Sequence, residues 1–428
     1  MSKPILLVTA PVATRSGYGA HARDIVRSLV ELDKYDVKVW NVRWGNTPMN
    51  ALNDMEPRDK IIIDRLLQTP QLPQQPDIHI HCVVPNEFQP VGKYNIGITA
   101  GLETTAIPQN WIEGINRMNL VLASSNFSAE VMKATQFKHE DTGQVLKPTT
   151  PIQTLFEGID TNIFNVTNDC SKVLADEMDK IEEDWCFLFV GHWLQGALGH
   201  DRKDVGNLVG SFMANFKKSD KVGLILKTSG ATTSVIDRDD INRKVANIRR
   251  SVEGNDDLPN VYLLHADLFD SEVNDLYNHP KVKAHITFTH GEGFGRPLLE
   301  ATMSEKPVIA PGWSGHTDFL NKRQSVLLEG GLDDVSQESF QQGLHVQGQK
   351  WFRVDYERAI GRMKTMKTNY RPYKLRAKKL AKNNRKHFSL SAMQTKLQSI
   401  LQKNVPKFTE RVDVKLPNLN VPKLEKVV

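Results

Sequence analysis

Short apolar runs rich in β-branched residues alternate with stretches of helical periodicity along most of this 428-residue chain. The helical stretches include residues 20–32, 111–118, 129–135, 207–216, 240–254 and 271–277. Strands separated by helices of this length form βαβ units, which place their strands in a parallel sheet with right-handed crossovers. The alternation therefore predicts an α/β fold.

The series of apolar runs restarts at Cys186, after a loop region rich in Thr, Asn and Asp. Six strands are predicted before the restart, at 5–9, 37–42, 78–83, 94–98, 120–123 and 152–155. Six more are predicted after it, at 186–190, 222–226, 261–264, 284–288, 307–310 and 325–328. Two doubly wound parallel sheets in tandem are the simplest arrangement, and two such domains facing each other would form a ligand-binding cleft between them.

The domain boundaries follow from this pattern. We predict a first domain over residues 1–170 and a second over 171–385. A C-terminal helix over 386–404 carries apolar residues at helical spacing and could pack back on the first domain. Prolines in residues 405–428 exclude a long helix there, so an extended tail is expected.

Composition excludes several classes of protein. Hydrophobic residues make up 39% and charged residues 25%, and no run of roughly 18 apolar residues exists, so a membrane-spanning protein is not expected. The N-terminus is typical of a first buried strand and not of a signal peptide. Three widely separated cysteines, Cys82, Cys170 and Cys186, lack metal-site spacing and favour a reducing cytoplasm over a disulfide framework.

The segment 289–320 carries the strongest chemical signal. A glycine-rich turn follows a predicted strand, and Pro297 stands where the next helix would begin. Gly293 and Gly295 allow the backbone to approach a ligand, and a helix N-terminus favours a diphosphate. Glu292 before the turn and Glu300 about one turn into the helix could reach sugar and ribose hydroxyls. The ordinary alternative is a strand–turn–helix with two solvated glutamates.

Glu292 and Glu300, separated by seven residues around Gly293-Phe294-Gly295, resemble the signature of the family 4 retaining glycosyltransferases of the GT-B fold. The early glycine loop, residues 16–19, is similar to the family as well, and so are segments 101–127, 155–165 and 187–212. The resemblance implies two Rossmann-like domains, the first on the acceptor side and the second binding the donor. It also implies sugar transfer from a nucleotide-diphosphate sugar, expected to be a UDP-sugar, to an acceptor hydroxyl with retention, without a metal or cofactor.

The resemblance assigns roles to further residues. Arg202 and Lys203 stand where the family places a basic pair against the donor diphosphate, and Lys227, at a strand end, is a weaker candidate for the same role. Gly17 and Gly19 are expected to shape a loop that faces the donor phosphate. The open alternatives are a solvated basic pair, a structural lysine and an ordinary strand-to-helix turn.

The acceptor-side group departs from the family pattern. Many members have a histidine near the position where this chain has Gly101-Leu102-Glu103. Glu103 is therefore the acceptor-side candidate, with a structural acid as the alternative. His316, after a second glycine loop, could cap a helix or touch the sugar. The expected catalytic set is Glu292, Arg202, Lys203 and Glu103, and the expected donor-binding set is Gly17, Gly19, Lys227, Gly293, Phe294, Gly295 and Glu300.

A block of basic residues near the C-terminus indicates which acceptors the chain could bind. Residues 360–409 hold 14 Lys and Arg and no Asp or Glu, whereas the rest of the chain has 41 Lys and Arg against 50 Asp and Glu. Such a block can bind nucleic acid or an anionic membrane, or can be a solvated helix face. The loop at 9–26 is similar to that of phage-encoded members, some of which glycosylate modified DNA bases.

Three functions are the main hypotheses at this point. A GT-B phosphorylase, for which no segment suggests a pyridoxal phosphate lysine, and a sugar-nucleotide epimerase are further alternatives. The leading hypothesis is transfer to a hydroxylated base in DNA, in a host cytoplasm if the chain is phage-encoded. The second is transfer to a lipid or polysaccharide at an anionic membrane. The third is a GT-B-shaped binding protein without catalysis, against which the retention of Glu292, Glu300, Arg202 and Lys203 argues. The sequence carries no signal for an oligomeric state.

Overall fold

The computed structural model describes residues 3–193, 198–230, 232–252 and 257–408. Its first unit is a six-stranded parallel sheet in the order β2-β1-β3-β4-β5-β8. The strands of this sheet are β1 (Ile5–Ala10), β2 (Asp36–Asn41), β3 (Ile78–Cys82), β4 (Tyr94–Thr99), β5 (Leu120–Ala123) and β8 (Ile152–Thr154). A small antiparallel hairpin of β6 (Phe137–Lys138) and β7 (Val145–Leu146) lies beside it.

The second unit is another six-stranded parallel sheet, in the order β11-β10-β9-β12-β13-β14. Its strands are β9 (Cys186–His192), β10 (Gly223–Ser229), β11 (Val261–Leu264), β12 (Val282–Ile286), β13 (Val308–Pro311) and β14 (Val326–Leu328). The strand order reverses between β9 and β12, so the residues that follow these two strands face the ligand crevice. The predicted α/β architecture of two Rossmann-like units is confirmed.

An antiparallel pair, β15 (Gly330–Asp334) and β16 (Lys350–Val354), interrupts the second unit after β14. No strand was expected there: β15 is exposed along its whole length, and β16, although it buries Trp351, Phe352 and Val354, was not recognised as a strand. The pair projects from the second unit toward the first.

Helices cover both sheets. In the first unit they are α1 (Gly17–Glu31), α2 (Pro57–Ile63), α3 (Gln109–Asn116) and α4 (Asn126–Ala134). In the second they are α5 (Lys172–Asp179), α6 (Val205–Asn215), α7 (Val235–Ser251), α8 (Asp270–Asn278), α9 (Arg296–Met303), α10 (Tyr356–Thr368) and α11 (Tyr370–His387). Serine begins several of these helices: the side chain of Ser16 accepts a hydrogen bond from the Gly19 N–H, and Ser125 does the same for Ser128.

The last helix, α12 (Leu390–Asn404), returns to the first unit. Its residues Met393, Leu397 and Leu401 are buried among the side chains of the first sheet and α1. The two chain crossings between the units are bonded to each other, because the Ile159 N–H donates to the Phe388 carbonyl at 3.0 Å and the Leu390 N–H donates to the Ile159 carbonyl at 2.8 Å. The crossings therefore form one junction.

The predicted tail is only partly within the described residues. Val405 and Phe408 pack against the core of the first unit, and residues 409–428, including the last residue of the basic block, lie outside the described part. Within the described ranges, no helix has the length and apolar character required to cross a bilayer.

The packing of α12 makes a direct prediction. Leu397→Ala removes a fully buried side chain and leaves a cavity in the first core, so unfolding free energy should fall by about 2–5 kcal/mol. Urea denaturation followed by circular dichroism measures this loss. Ser399→Ala, at an exposed position of the same helix, serves as the control and should change stability little. Equal effects for both variants would mean that α12 is not part of that core.

Candidate functional site

Four charged side chains meet where the two units face each other. The Lys203 Nζ donates to Glu292 Oε1 at 2.5 Å and to Oε2 at 2.7 Å. Arg202 Nη1 lies 3.0 Å from Glu103 Oε1 and 3.6 Å from Glu292 Oε2. Glu103 belongs to the first unit and the other three belong to the second. The structure thus brings together all four residues of the expected catalytic set.

The loops after β9 and β12 hold this cluster in place. The His290 N–H donates to the Arg202 carbonyl at 2.8 Å, and Arg202 Nη1 donates to the Gly291 carbonyl at 3.0 Å. A Cβ atom on Gly291 would lie 2.8 Å from the Cβ of Glu103, closer than real Cβ contacts allow. Glycine at 291 is therefore what lets the loop of the first unit approach the cluster.

Burial and charge set the ionisation of the cluster. Glu292 is 7% exposed and Lys203 is 9% exposed. Burial alone would raise the pKa of Glu292, but the charges of Lys203 and Arg202 outweigh it and lower that pKa to about 2. Burial would lower the pKa of Arg202, and Glu103 and Glu292 raise it instead. Glu292 is thus a carboxylate at neutral pH, able to accept hydrogen bonds but not to donate a proton.

His192 is a further candidate for the site, and the sequence analysis did not identify it. It ends β9 and is exposed, and the hydroxyl of Ser229, the last residue of β10, lies 3.3 Å from its Nδ1. Although part of His192 reaches solvent, desolvation by the surrounding crevice lowers its pKa, and repulsion from Lys203, Lys227 and Arg202 lowers it further. The signal was available, since His192 is the last residue of a strand at the crevice edge of the sheet.

Lys227 belongs to the same electropositive region but not to the four-residue cluster. It lies in β10 next to Val190 of β9, two residues before Ser229. Burial lowers its pKa, with Asp267 and Arg15 as its charged neighbours. Arg202, Lys203 and Lys227 place cations at the crevice edge of β9 and β10, a set that suits an anionic ligand. His192, whose lowered pKa leaves it neutral at pH 7, adds a hydrogen-bonding group beside them.

The glycine turn leads directly into α9. Gly295, at φ +93°, is the residue before the helix, and Arg296 and Pro297 begin it. A Cβ on Gly293 would lie 2.5 Å from the Ala100 carbonyl oxygen, so this turn also contacts the first unit. Phe294 corrects one expectation: its side chain is 2% exposed and packs 5.1 Å from the Phe319 ring, in the core. Its apolar ring turns inward, and only its backbone is available to a ligand.

Glu300 lies in a second buried group, separate from Glu292. Arg296 Nε is 3.1 Å from Glu300 Oε1, and the Tyr277 hydroxyl donates to Glu300 Oε2 at 3.4 Å. Arg296 Nη1 also pairs with Asp24 Oδ2 on α1 at 2.8 Å, across the two units. Burial raises the pKa of Glu300 to about 7. Glu300 is therefore not the solvated acid of the ordinary alternative, and its carboxylate already has partners inside the protein.

The remaining expected residues divide into open and buried positions. Gly17 begins α1 and is exposed, with no atom within 4 Å of the position a Cβ would take. Gly19 is buried, and its Cβ would lie 2.3 Å from the Thr14 carbonyl oxygen, so its role is to let the loop pack on α1. His316 is also buried, and its Nε2 lies 2.7 Å from the Pro311 carbonyl oxygen. This contact stabilises the turn that contains His316.

Metal ligands are not grouped in this region. Among the residues that the structure describes, no three His, Cys, Asp or Glu side chains form a set that could hold a metal ion. The positive groups of the crevice are side chains and the N-terminus of α9.

The likeness of this chain to known proteins is structural. No family model and no curated protein matches the sequence. Sucrose-phosphate synthase of Thermosynechococcus elongatus is similar in structure, with a TM-score of 0.63 at 12% identity over 94% of this chain and 98% of that one. HepE of Anabaena in complex with UDP-glucose has a TM-score of 0.61 at 13% identity over 93% and 99%. A glycosyltransferase of Rickettsia africae has a TM-score of 0.59 at 14% identity over 94% and 99%.

Likeness at this level of identity establishes the fold. The chain has the two-domain GT-B architecture over nearly its whole length, as the sequence motifs implied.

One buried acid near the junction of the units predicts a pH dependence of stability. Glu157 is buried, and burial raises its pKa from 4.5 to about 8. Between these values the folded protein holds a proton that the unfolded chain releases, so stability falls as pH rises through that window. Glu157→Gln removes this loss. The free energy of unfolding of the variant should exceed that of the wild type by on the order of a few kcal/mol at pH 9 and should match it near pH 5.

Denaturant unfolding at the two pH values measures the effect. Glu140→Gln, on the exposed hairpin of the first unit, is the matched control and should follow wild type at both. If Glu157→Gln differs from wild type equally at pH 5 and pH 9, Glu157 does not titrate in this window.

Proposed function

We propose that this chain is a glycosyltransferase that transfers a sugar from a UDP-sugar to an acceptor hydroxyl, with retention at the anomeric carbon. The observation that carries the proposal is the cluster of Glu292, Lys203, Arg202 and Glu103 at the strand-order switch point between β9 and β12. This is where doubly wound sheets bind their ligands. A fold shared with HepE, a structure solved in complex with UDP-glucose, supports the choice of donor.

The donor diphosphate would occupy the positive crevice. Lys203, Arg202 and His192 would contact its oxygens, and the turn into α9 would add the backbone N–H of Arg296. Pro297 has no N–H, and the Leu298 and Leu299 N–H groups donate to the Gly295 carbonyl. Negative charge develops on the diphosphate as the glycosidic bond breaks, and fixed cations and a helix N-terminus stabilise that charge. Lys203 would then be shared between the phosphate and Glu292.

Glu292 would orient the sugar and not transfer protons. Its low pKa keeps it ionised at neutral pH, so its oxygens accept hydrogen bonds from sugar hydroxyls. In the proposed reaction the bond between the anomeric carbon and the phosphate oxygen breaks, and the acceptor oxygen bonds to that carbon on the same face. The acceptor proton passes to the departing phosphate oxygen, and UDP leaves.

The two other carboxylates take different parts in this proposal. Glu103, held by Arg202, faces the cleft from the first unit and would contact the acceptor. Glu300 is the candidate for the ribose hydroxyls, but its oxygens are bonded to Arg296 and Tyr277. A ribose contact would therefore require Arg296 or Tyr277 to release Glu300.

The donor assignment makes a kinetic prediction. Glu292→Gln keeps the side-chain shape but loses the charge that holds Lys203 and orients the sugar, so turnover should fall about 100-fold or more. UDP release from UDP-glucose in the presence of candidate acceptors measures turnover. Glu130→Gln, an exposed change on α4, is the control. Wild-type turnover in a folded Glu292→Gln protein would remove the assignment.

For the acceptor we infer a hydroxylated base in DNA. The support is the exposed face of α11, where Arg371, Lys378, Lys379 and Lys382 form no ion pair among the described residues. Another cation of this helix, Arg385, pairs with Glu305. Unpaired cations in a row are what a phosphate backbone neutralises, with release of counterions.

The basic face lies outside the cleft and would anchor the polymer. At one end of α11 the Tyr370 hydroxyl bonds to the Lys283 carbonyl near the start of β12, and at the other end Arg385 bonds to the Met303 carbonyl at the last residue of α9. Both contacts lie away from the carboxyl ends of the strands, where the charged cluster is. DNA would thus bind to the basic face of α11 through its phosphates, while the base to be modified enters the cleft.

The tether is tested by charge removal. Replacing Lys378, Lys379 and Lys382 with Ala should weaken binding to duplex DNA and reduce the slope of log affinity against log salt by about 2–3, since each contact contributes roughly 0.9. Replacing the exposed Lys133, Lys147 and Lys221 with Ala is the matched control. Fluorescence anisotropy over a salt series gives the slopes.

The acceptor itself is tested with UDP-glucose and DNA that does or does not contain hydroxymethylated bases. Sugar incorporation into the hydroxymethylated DNA alone is the expected result. Binding and transfer on anionic vesicles, with none on DNA, would replace DNA with a lipid acceptor.

A further inference from the structure

The antiparallel pair β15 and β16, with the residues that connect them, forms an arm over residues 330–354 that we call the strap. It leaves the second unit after β14 and returns to it before α10. None of its side chains belongs to the cluster of Glu103, Arg202, Lys203 and Glu292. Nevertheless, the strap contacts each of the three loops that carry those residues.

The first contact is with the loop that leads to Glu292. The Phe352 N–H donates to the His290 carbonyl at 3.0 Å, and His290 Nδ1 lies 2.7 Å from the Phe352 carbonyl oxygen. The rings of His290 and Trp351 stack with their centroids 4.2 Å apart. The residue two positions before Glu292 is therefore fixed by β16.

The second contact is with the loop that carries Arg202 and Lys203. The hydroxyl of Ser339 donates to the His200 carbonyl, and His200 Nδ1 lies 2.8 Å from Glu338 Oε2. Both contacts come from the segment that connects β15 and β16. His200 is two residues before Arg202, so the strap holds this loop near its catalytic candidates.

The third contact crosses to the first unit. The Thr105 N–H donates to the Lys350 carbonyl at 2.9 Å, and the Lys350 N–H donates to the Thr105 hydroxyl at 2.9 Å. The Thr104 hydroxyl donates to Gln349 Oε1 at 3.1 Å. Leu344 also packs against the apolar cluster of the first unit that contains Leu102 and Trp111. These contacts lie directly after Glu103 in the chain.

We propose that the strap is a positioning element that holds the Glu103 loop of the first unit against Arg202 and closes the acceptor side of the cleft. Leu344 of the strap and Thr105 of the Glu103 loop are the positioning residues, which act through that loop and not on substrate. The catalytic part of this inference rests on the proposed glycosyl transfer, while the closure itself does not. Because the donor region belongs to the second unit, loosening the strap should lower kcat and leave the KM for the donor nearly unchanged.

The experiment uses the full chain with Thr105→Val, which removes the hydroxyl that accepts from Lys350, and Leu344→Ala, which removes the apolar contact. Hydrogen exchange of the peptide spanning residues 100–112, read by mass spectrometry, should be at least several-fold faster in both variants. Thr105→Ser keeps the hydroxyl and should restore wild-type exchange. Gln342→Ala, at an exposed position of the strap, should match wild type.

Turnover and UDP binding complete the test. Thr105→Val and Leu344→Ala should each lower kcat about 10-fold or more, while the KM for the donor stays within about twofold of the wild-type value. The increase in melting temperature that UDP produces should equal that of the wild type. Wild-type exchange in both variants would overturn the strap proposal. If both variants exchange faster but the wild-type protein shows no sugar transfer, the proposed function is wrong and the closure by the strap is still supported.

Discussion

The buried ion pair between Lys203 and Glu292 is the interaction on which the site depends. It joins the loop after β9 to the loop after β12, at the point where the strand order of the second sheet reverses. Removing both charges from water is costly, and a buried pair gains net stability only when its remaining hydrogen-bonding capacity is also satisfied. Arg202 near Glu292 supplies part of that compensation. Because this costly pair lies at a ligand crevice, Lys203 is well placed to bind an incoming phosphate as well as Glu292.

The rest of the molecule fixes the distance between the halves of this site. The two crossings are bonded at Ile159, Phe388 and Leu390, and α12 closes the first core, so the units share one junction. Arg296 of the second unit also pairs with Asp24 of the first. Glycine at 291 and 293 removes the side chains that would keep the loops of the two units apart. The glycines, the Arg296–Asp24 pair and the strap therefore hold the two units together, and they leave Glu103 close enough to pair with Arg202.

Much of the fold was accessible from the sequence because βαβ alternation is a local signal. The turn around Gly293 and Gly295, with Glu292 and Glu300 on either side, was visible for the same reason. The predicted ends of the strands were less accurate. β12 was expected at 284–288 and is Val282–Ile286, because the buried, apolar Phe288 belongs to the loop that follows the strand. The contact of Glu103 with Arg202 could not be derived, because it depends on how two separate units pack. The strap was missed since β15 is exposed, and since the contacts of the strap with the site loops join residues far apart in the sequence. The inward orientation of the Phe294 ring is likewise set by tertiary packing.

The most direct test of the account is a crystal structure of this protein with UDP. We predict that the diphosphate lies between the first turn of α9 and the side chains of His192, Arg202 and Lys203, with Lys203 Nζ within hydrogen-bond distance of a phosphate oxygen. UDP bound anywhere outside this crevice, or a diphosphate that contacts neither Lys203 nor the N-terminus of α9, would contradict it.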